Sequence, residues 1–227
     1  MSIKSKVFAV AAALVLAGGA GAAGELNANA ATPSCGNSCV DLFTQVFSTH
    51  MRPSFVLDVL RQGAKAGQPI ILYRAANNDP AEDFTVSREG TVHEFYQAGL
   101  VSASLNLHYS HFEAQEFQYS PNGVGSGLCM GVGKTAVNGT PVALEPCGDT
   151  ARVLWVVDSY DEIHGHYVPL INGSDTNFSN PYVLNYPGNS YPTDMPRPQL
   201  NVHTLSQYSG GQVFNNQMWS ADTGVLP

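Results

Sequence analysis

Three stretches of this chain repeat one pattern: a short apolar segment, a Gly-Pro-hydrophobic strand or its equivalent, and an aromatic residue that opens a polar turn. The first copy runs from Val56-Leu57-Asp58 through Gly67-Gln68-Pro69-Ile70 and Leu72-Tyr73 to Phe84. The second runs from Cys129-Met130-Gly131 through Gly139-Thr140-Pro141-Val142 and Leu144-Glu145 to Trp155. The third runs from Val183-Leu184-Asn185 to Asn216-Gln217-Met218-Trp219. Asp58 to Phe84, Gly131 to Trp155 and Asn185 to Trp219 are 26, 24 and 34 positions apart, so the first two copies are nearly in register and the third carries an insertion. Repetition at this scale means one supersecondary unit that cannot bury its apolar face alone and must pack against its siblings to form a core.

The composition says what the unit is made of. Low charge (12%), 22 Gly, 14 Pro and many Asn and Ser suit short strands joined by turns, an all-β chain. Asp41 to Phe47 and Phe55 to Leu60 carry amphipathic spacing, but β-branched and aromatic content with alternation makes the second a strand. Between Tyr186 and Pro198 stand four prolines, which cannot sit in a central ladder, so this span is a surface loop that lengthens the third copy. The segments 97–126 and 159–180 also exceed the repeat unit. In the first, Leu105-Asn106-Leu107-His108-Tyr109 and Glu116-Phe117-Gln118-Tyr119 alternate like an extra or lengthened hairpin.

The chain ends bear on where the protein works. Residues 1 to about 30 have a basic start at Lys4 and Lys6, an apolar run from Val7 to Leu16 and small residues ending in Ala28-Asn29-Ala30. That order is a secretory signal peptide with an A-x-A cleavage site. Its apolar run is shorter than the roughly 20 residues that span a bilayer, and no lipid-anchor cysteine follows it, so a soluble, secreted, extracellular product of residues 31–227 is expected. Loss of Lys4, Lys6 and Glu25 moves the net charge from −8 to −9. A chain this acidic and this poor in Lys and Arg cannot neutralise several phosphates at once, so neither nucleic acid nor an anionic membrane is an expected partner.

Four cysteines allow three pairings. Cys35 and Cys39 are separated by Gly36-Asn37-Ser38, a spacing that also invites a redox or metal reading. Export favours structural disulfides, and the redox motif needs two intervening residues, not three.

Several of these elements resemble the ricin-type β-trefoil lectins, within a group of secreted bacterial proteins that are mostly uncharacterised. Repeats of that family read C-L-D-V, then N-G-x-x-V-x-L-aromatic-x-C, then Q-x-W and a turn. Asn138-Gly139-Thr140-Pro141-Val142-Ala143-Leu144-Glu145-Pro146-Cys147 is similar to the middle element, and Gln217-Met218-Trp219 to the Q-x-W. Phe84 to Val92 and Trp219 to Leu226 resemble the closing strand and turn. The Q-x-W is intact once, being Glu82-Asp83-Phe84 in copy one and Val153-Leu154-Trp155 in copy two. The resemblance implies an all-β β-trefoil with three degenerate repeats and long loop insertions. It divides the chain into the leader, a 31–53 segment with a small disulfide loop, and a single 54–227 trefoil domain with repeats at about 54–97, 127–170 and 181–227. It also places Cys129 and Cys147 where the family has its intra-repeat disulfide, which leaves Cys35 and Cys39 to close the small loop. The corresponding positions of copy one are Val56 and Ala75. Closing a loop of about 19 residues stabilises by roughly 3 kcal/mol in the chain-entropy model.

Other constellations carry less. Gly131-Val132-Gly133-Lys134-Thr135 has the ending of a phosphate loop, but its required first glycine falls on Leu128 and no helix pattern follows, so it reads as a turn between strands. His108, His111, His164 and His166 lie near Glu113, Glu116, Asp161 and Glu162 in sequence, yet none has the H-E-x-x-H spacing of a zinc hydrolase. There is no G-x-S-x-G elbow, and nothing pairs Asp58, Asp158 or Asp161 as a glycosidase dyad. No catalytic residue, metal or cofactor is expected.

A sugar site of the resembled family sets an aromatic ring against the apolar face of a pyranose while a carboxylate and an amide take its hydroxyls. The resemblance carries these roles in copy one to Asp58, Tyr73 and Asn77 or Asn78. Copy two has Gly131 for the acid and Glu145 for the ring, which removes its site; copy three has Asn185 for the acid, keeps Asn216 before Gln217, and has its aromatic position near Val202. The implied function is non-enzymatic recognition of glycans or polysaccharide. The alternative is a degenerate trefoil whose Tyr- and Pro-rich inserts contact a secreted protein partner or inhibit a protease.

Overall fold

The computed structural model describes residues 34–45, 55–159, 167–188 and 198–221. Among the described residues, twelve strands are arranged with near threefold symmetry. Six of them close a barrel: β1 (Leu42–Thr44), β4 (Phe84–Thr91), β5 (Glu113–Tyr119), β8 (Leu154–Val157), β9 (Leu170–Asn172) and β12 (Trp219–Ala221). β4 pairs with β5, β5 with β8, β8 with β9, and β12 with β1. The Val40–Phe84 and Val168–Trp219 bridges complete the ring between β1 and β4 and between β9 and β12.

The other six form three hairpins that cap one end of the barrel: β2 (Phe55–Val59) with β3 (Ile70–Arg74), β6 (Leu128–Val132) with β7 (Val142–Pro146), and β10 (Tyr182–Asn185) with β11 (Asn201–Thr204). Each hairpin touches the next through one bridge, Pro69–Ala143, Pro141–Asn201 and Ile71–Gln199, so the three close a triangle. At the hairpin turns Gly67 and Gly139 have φ of +80° and +81°, a conformation glycine adopts without steric cost. Their N–H groups donate to Leu144 O and Val202 O of the following hairpin. This architecture is a β-trefoil.

Strand pairing fixes which residues are equivalent. Leu57, Met130 and Leu184 match one another, as do Ile70, Val142 and Leu200, and Leu72, Leu144 and Val202; all nine are buried in one core with the barrel aromatics Phe84, Trp155 and Trp219. Full burial of an aliphatic side chain of this size is worth about 1.5–3 kcal/mol, which is why the apolar positions are the ones that survive in all three copies. Trp155 Nε1 donates to Met130 O at 2.9 Å and Trp219 Nε1 to Leu184 O at 2.8 Å, so the closing aromatic of a repeat is tied to its opening triplet. Phe84 has no such proton to give.

The repeat unit begins one strand earlier than its sequence signature. β1 belongs to the barrel, so the described residues 34–45 of the span 31–53, expected as a separate N-terminal segment, supply the first barrel strand as well as the Cys35–Cys39 loop. The two disulfides are Cys35–Cys39 and Cys129–Cys147, with Cα separations of 5.7 and 4.9 Å.

The segment after β4 differs from the expected extra hairpin. It holds α1 (Val92–Gln97) and α2 (Ala103–Tyr109) before β5 begins. Thr91 caps α1 in a reciprocal box with Glu94, and the Ser102 hydroxyl accepts from Leu105 N at the start of α2. Val92, Phe95, Val101 and Leu105 pack on Leu154, Val156, Ile171 and Val183, a second core outside the barrel. Among the described residues no helix is long and apolar enough to cross a membrane. Most of the expected loop 186–198, and all of the leader, lie outside the described residues.

Candidate functional site

In the first repeat, alternation along β2 and β3 turns Leu57 and Leu72 into the core and leaves Asp58, Ile71 and Tyr73 on the other face. Those three line a cavity of about 220 Å³ together with Leu60, Arg61, Gln62, Asp79 and Ala81. Asp58 is 6% exposed, and Tyr73 is half-buried. Arg61 and Gln62 have φ of 59° and 55°, an uncommon conformation for residues with a β-carbon. Strain of this kind costs on the order of 1 kcal/mol per residue and concentrates where a backbone is shaped for binding.

The loop after β3 contributes Asp79. Its Oδ1 accepts from Gln62 Nε2 and from Ala81 N, both at 3.0 Å. Asn77 and Asn78 are exposed on the same loop and are not among the residues that line the cavity. Asp79 escaped the sequence reading because it lies one position beyond the amides that the resemblance singled out; the Asp-Pro pair it begins is a turn signal that marks the place.

Beneath the cavity is Glu82, 1% exposed. Oxygens of Asp58, Asp79 and Glu82 lie within 4.8 Å of one another. Burial pushes the Glu82 carboxyl up to about 9, against a lowering hydrogen bond from Ala76 N, and the charges of Asp41, Asp79 and Asp58 push it further. Glu82 is therefore a neutral carboxylic acid at pH 7. The phenol of Tyr119 is likewise pushed up to about 12, by burial first and then by Asp58, Asp83 and Asp79. The region under the first repeat thus has a strongly negative potential.

The other two repeats are different at the equivalent places. Gly131 replaces Asp58, and a Cβ there would lie 2.8 Å from Val153 Cγ1 and 2.9 Å from the Arg152 carbonyl oxygen. The turn before β8 fills the second repeat's site with its own chain. In the third repeat, register pairs Val183 with His203 as Val56 pairs with Tyr73, so the position of the ring is His203, and Val202 points into the core. Asn185 is held in an amide chain: Asn216 Nδ2 donates to Asn185 Oδ1 at 3.1 Å, and Asn185 Nδ2 donates to Asn201 Oδ1 at 2.8 Å. Asn216 Nδ2 also donates to Tyr186 O at 2.8 Å. Asn185 and Asn216 are thus brought together, but to one another.

The remaining candidates are scattered. His108 Nδ1 donates to Ser104 O, and its ring stacks on Phe178 with centroids 4.4 Å apart. His111 is exposed in a groove of about 520 Å³ between α1 and α2, lined also by His93, Asn106 and Leu107. His164, His166, Asp161 and Glu162 lie outside the described residues. Among the described residues, the groups of three donors close enough to share an ion contain no histidine, and two of the three groups consist partly of disulfide cysteines.

No family model and no curated protein sequence matches the chain. Solved structures do. A designed protein of threefold symmetry, ThreeFoil, superposes with a TM-score of 0.50 at 14% identity over 81% of this chain and 97% of that one. An exo-β-1,3-galactanase from Clostridium thermocellum superposes with a TM-score of 0.52 at 13% identity over 81% of this chain and 30% of that one. At such identities the likeness is one of fold, and it agrees with the threefold barrel and hairpin cap described above.

Proposed function

We propose that this chain is a secreted, non-enzymatic carbohydrate-binding protein of the ricin-type kind that recognises glycans through the cavity of its first repeat. The observation that carries the reading is the meeting of Asp58 and Tyr73 in the wall of one cavity. A half-buried ring offers its face to pyranose C–H groups, and a nearly buried carboxylate accepts hydroxyl hydrogen bonds that water competes for poorly. Asp79, fixed by Gln62, adds a second acceptor. Asn77 and Asn78 on the exposed loop above are placed to meet a longer glycan, while Asn185 and Asn216 make the third repeat a weaker site. Two disulfides are in keeping with an extracellular protein, and the likeness to part of a galactanase is in keeping with the ligand class.

A site this small binds a single sugar at about the millimolar level, or roughly −4 kcal/mol, and gains from polyvalent ligand. A glycan array and pull-down on insoluble polysaccharides, each repeated with Asp58→Ala, test the reading. Retention of wild type with loss in the variant supports it. Equal retention of both removes the first repeat as the site.

A second reading has one observation of its own. Leu107 stands 80% exposed on α2 beside the groove that holds His93 and His111, on an insert the barrel does not need. Such a surface suits a protein partner or a protease. Inhibition of a protease panel by wild type and not by Leu107→Asp supports that reading, and no inhibition by either counts against it.

A further inference from the structure

We propose that Asn122 is a site of spontaneous deamidation and that its conversion loosens the Cys35–Cys39 loop from the barrel. The chain holds three Asn-Gly pairs, Asn122-Gly123, Asn138-Gly139 and Asn172-Gly173. In such a pair the glycine nitrogen attacks the asparagine Cγ and closes a succinimide ring. The side-chain nitrogen leaves as ammonia, which carries away the proton of the attacking N–H. Water then opens the ring at either carbonyl and gives aspartate or isoaspartate, so water is the one co-reactant. A hydrogen-bonded glycine N–H reacts only when its bond opens, and the rate follows the cost of that opening.

All three glycine N–H groups are engaged at 2.8 Å, but what must open differs. Gly139 N donates to Val202 O of the next hairpin and Thr204 N donates to Asn138 Oδ1, so Asn138 reacts only when the hairpin triangle parts. Asn172 is fully buried, and its amide donates to Arg152 O and accepts from Ser174 N and Oγ. Gly123 N donates to Ser120 O within one turn between β5 and β6, and the Asn122 side chain is exposed. A local turn opens at lower cost than a contact between strands.

The same turn holds the N-terminal loop. The buried Asp83 carboxylate accepts from Asn122 N at 2.8 Å, from Ser34 N at 2.9 Å and from the Ser34 hydroxyl, and so staples the turn to the start of the Cys35–Cys39 loop. Aspartate at position 122 sets a second negative charge beside Asp83, whose own charge already raises the Tyr119 phenol. Isoaspartate adds a backbone carbon next to Gly123, where the fit is tight: a Cβ on that glycine would lie 3.0 Å from Cys35 Cβ. Either product weakens the staple.

The test ages the full chain at pH 8, with and without urea, and follows aspartate and isoaspartate at the three sites by peptide mass mapping. In the folded chain Asn122 is expected to convert at least about tenfold faster than Asn138, with Asn172 unchanged; in urea, where no bond gates them, all three are expected to convert at similar rates. Hydrogen exchange at residues 34–41 is expected to rise in the aged folded chain. Asn122→Gln, whose longer side chain closes the ring slowly, is expected to abolish that rise. Conversion of Asn138 or Asn172 ahead of Asn122 overturns the site, as does an intact Asn122 in the folded chain once the unfolded chain has converted. Conversion at 122 with unchanged exchange at 34–41 overturns the loosening. Should Asn122→Gln fail to fold, the converted and unconverted fractions of one wild-type sample are parted by anion exchange and compared. Faster exchange at 34–41 in the converted fraction supports the proposal, and equal exchange in the two overturns it.

Discussion

Glu82 holds in the first repeat the place that Gln217 holds in the third. Both lie two residues before the closing aromatic, and both accept from the backbone N–H of an equivalent residue: Ala76 N to the Glu82 carboxyl at 3.1 and 3.2 Å, Ser206 N to Gln217 Oε1 at 2.7 Å. Gln217 also donates Nε2 to Thr204 O at 3.0 Å. A carboxylate cannot donate, so a Glu performs both parts of this role only when protonated. Burial first, and then the charges of Asp41, Asp79 and Asp58, keep it so, and the first repeat thus holds a neutral acid in the place of the glutamine.

Stability should therefore fall as pH rises, and Glu82→Gln should remove the fall. The folded pKa, about 9, lies above the ordinary 4.5, so the folded chain holds a proton that the unfolded chain has released throughout that window. The contribution is complete below pH 4.5 and is lost progressively up to pH 9. At pH 7 the cost is on the order of 3 kcal/mol relative to acid. Urea melts at pH 5, 7 and 9 should show Glu82→Gln more stable than wild type at pH 7 and nearly flat across the series. A variant that melts in parallel with wild type at every pH shows that Glu82 is ionised in the fold.

The Cys129–Cys147 bond joins two positions whose counterparts are apolar. Val56 and Ala75 share one hydrophobic cluster in the first repeat, and Val183 and Leu205 share another in the third. Replacing the two cysteines by Val and Ala should keep the trefoil while costing about 2 to 4 kcal/mol. Near-ultraviolet circular dichroism and a denaturant melt of the double variant check this. Loss of the native spectrum in the double variant shows that the bond specifies the fold and does more than stabilise it.

Copy two should not regain a site by restoring its acid. Gly131→Asp places a Cβ against Val153 and the Arg152 carbonyl, so it should destabilise by about 3 kcal/mol and bind no glycan. Val153→Ala in the same chain should recover part of the stability by vacating the Cγ1 contact. A Gly131→Asp variant as stable as wild type shows that the turn before β8 moves freely.

What the sequence made legible follows from which positions packing holds fixed. The hairpin triplets and closing aromatics are core residues, and core residues keep their chemistry in every copy, so the trefoil showed through at 26, 24 and 34 positions. The first strands of the first and third repeats did not show, because Leu42–Thr44 and Leu170–Asn172 are three residues long and carry no turn signature. The helices were hidden by a similar shortage: α2 buries one side chain, Leu105, so its periodicity is too thin to read. Their caps, Thr91 with Glu94 and Ser102, were the signal available. Asp58 and Tyr73 were reachable through the repeat, since a site on a hairpin inherits the hairpin's register. Asp79 and Glu82 were not, because their roles depend on a loop that folds back under β2 and on charges brought together from 41, 58 and 79.

The barrel compensates volume across each pair of facing strands. Trp155 stands opposite Asn172 and Trp219 opposite Thr44, whereas the smaller Phe84 stands opposite the larger Tyr119. All six side chains are buried. Phe84→Trp alone overfills its pair and should cost about 1–3 kcal/mol. Tyr119→Thr alone leaves a void and should cost about 2–4 kcal/mol. Together they recreate the Trp219–Thr44 pair, and the new indole N–H can donate to Leu57 O as Trp219 donates to Leu184 O. The double variant should therefore be more stable than the sum of the single losses by about 2 kcal/mol, read from a double-mutant cycle of urea melts. Additivity within about 0.5 kcal/mol shows that the two positions do not share their space, and the threefold equivalence of these pairs then fails in the first repeat.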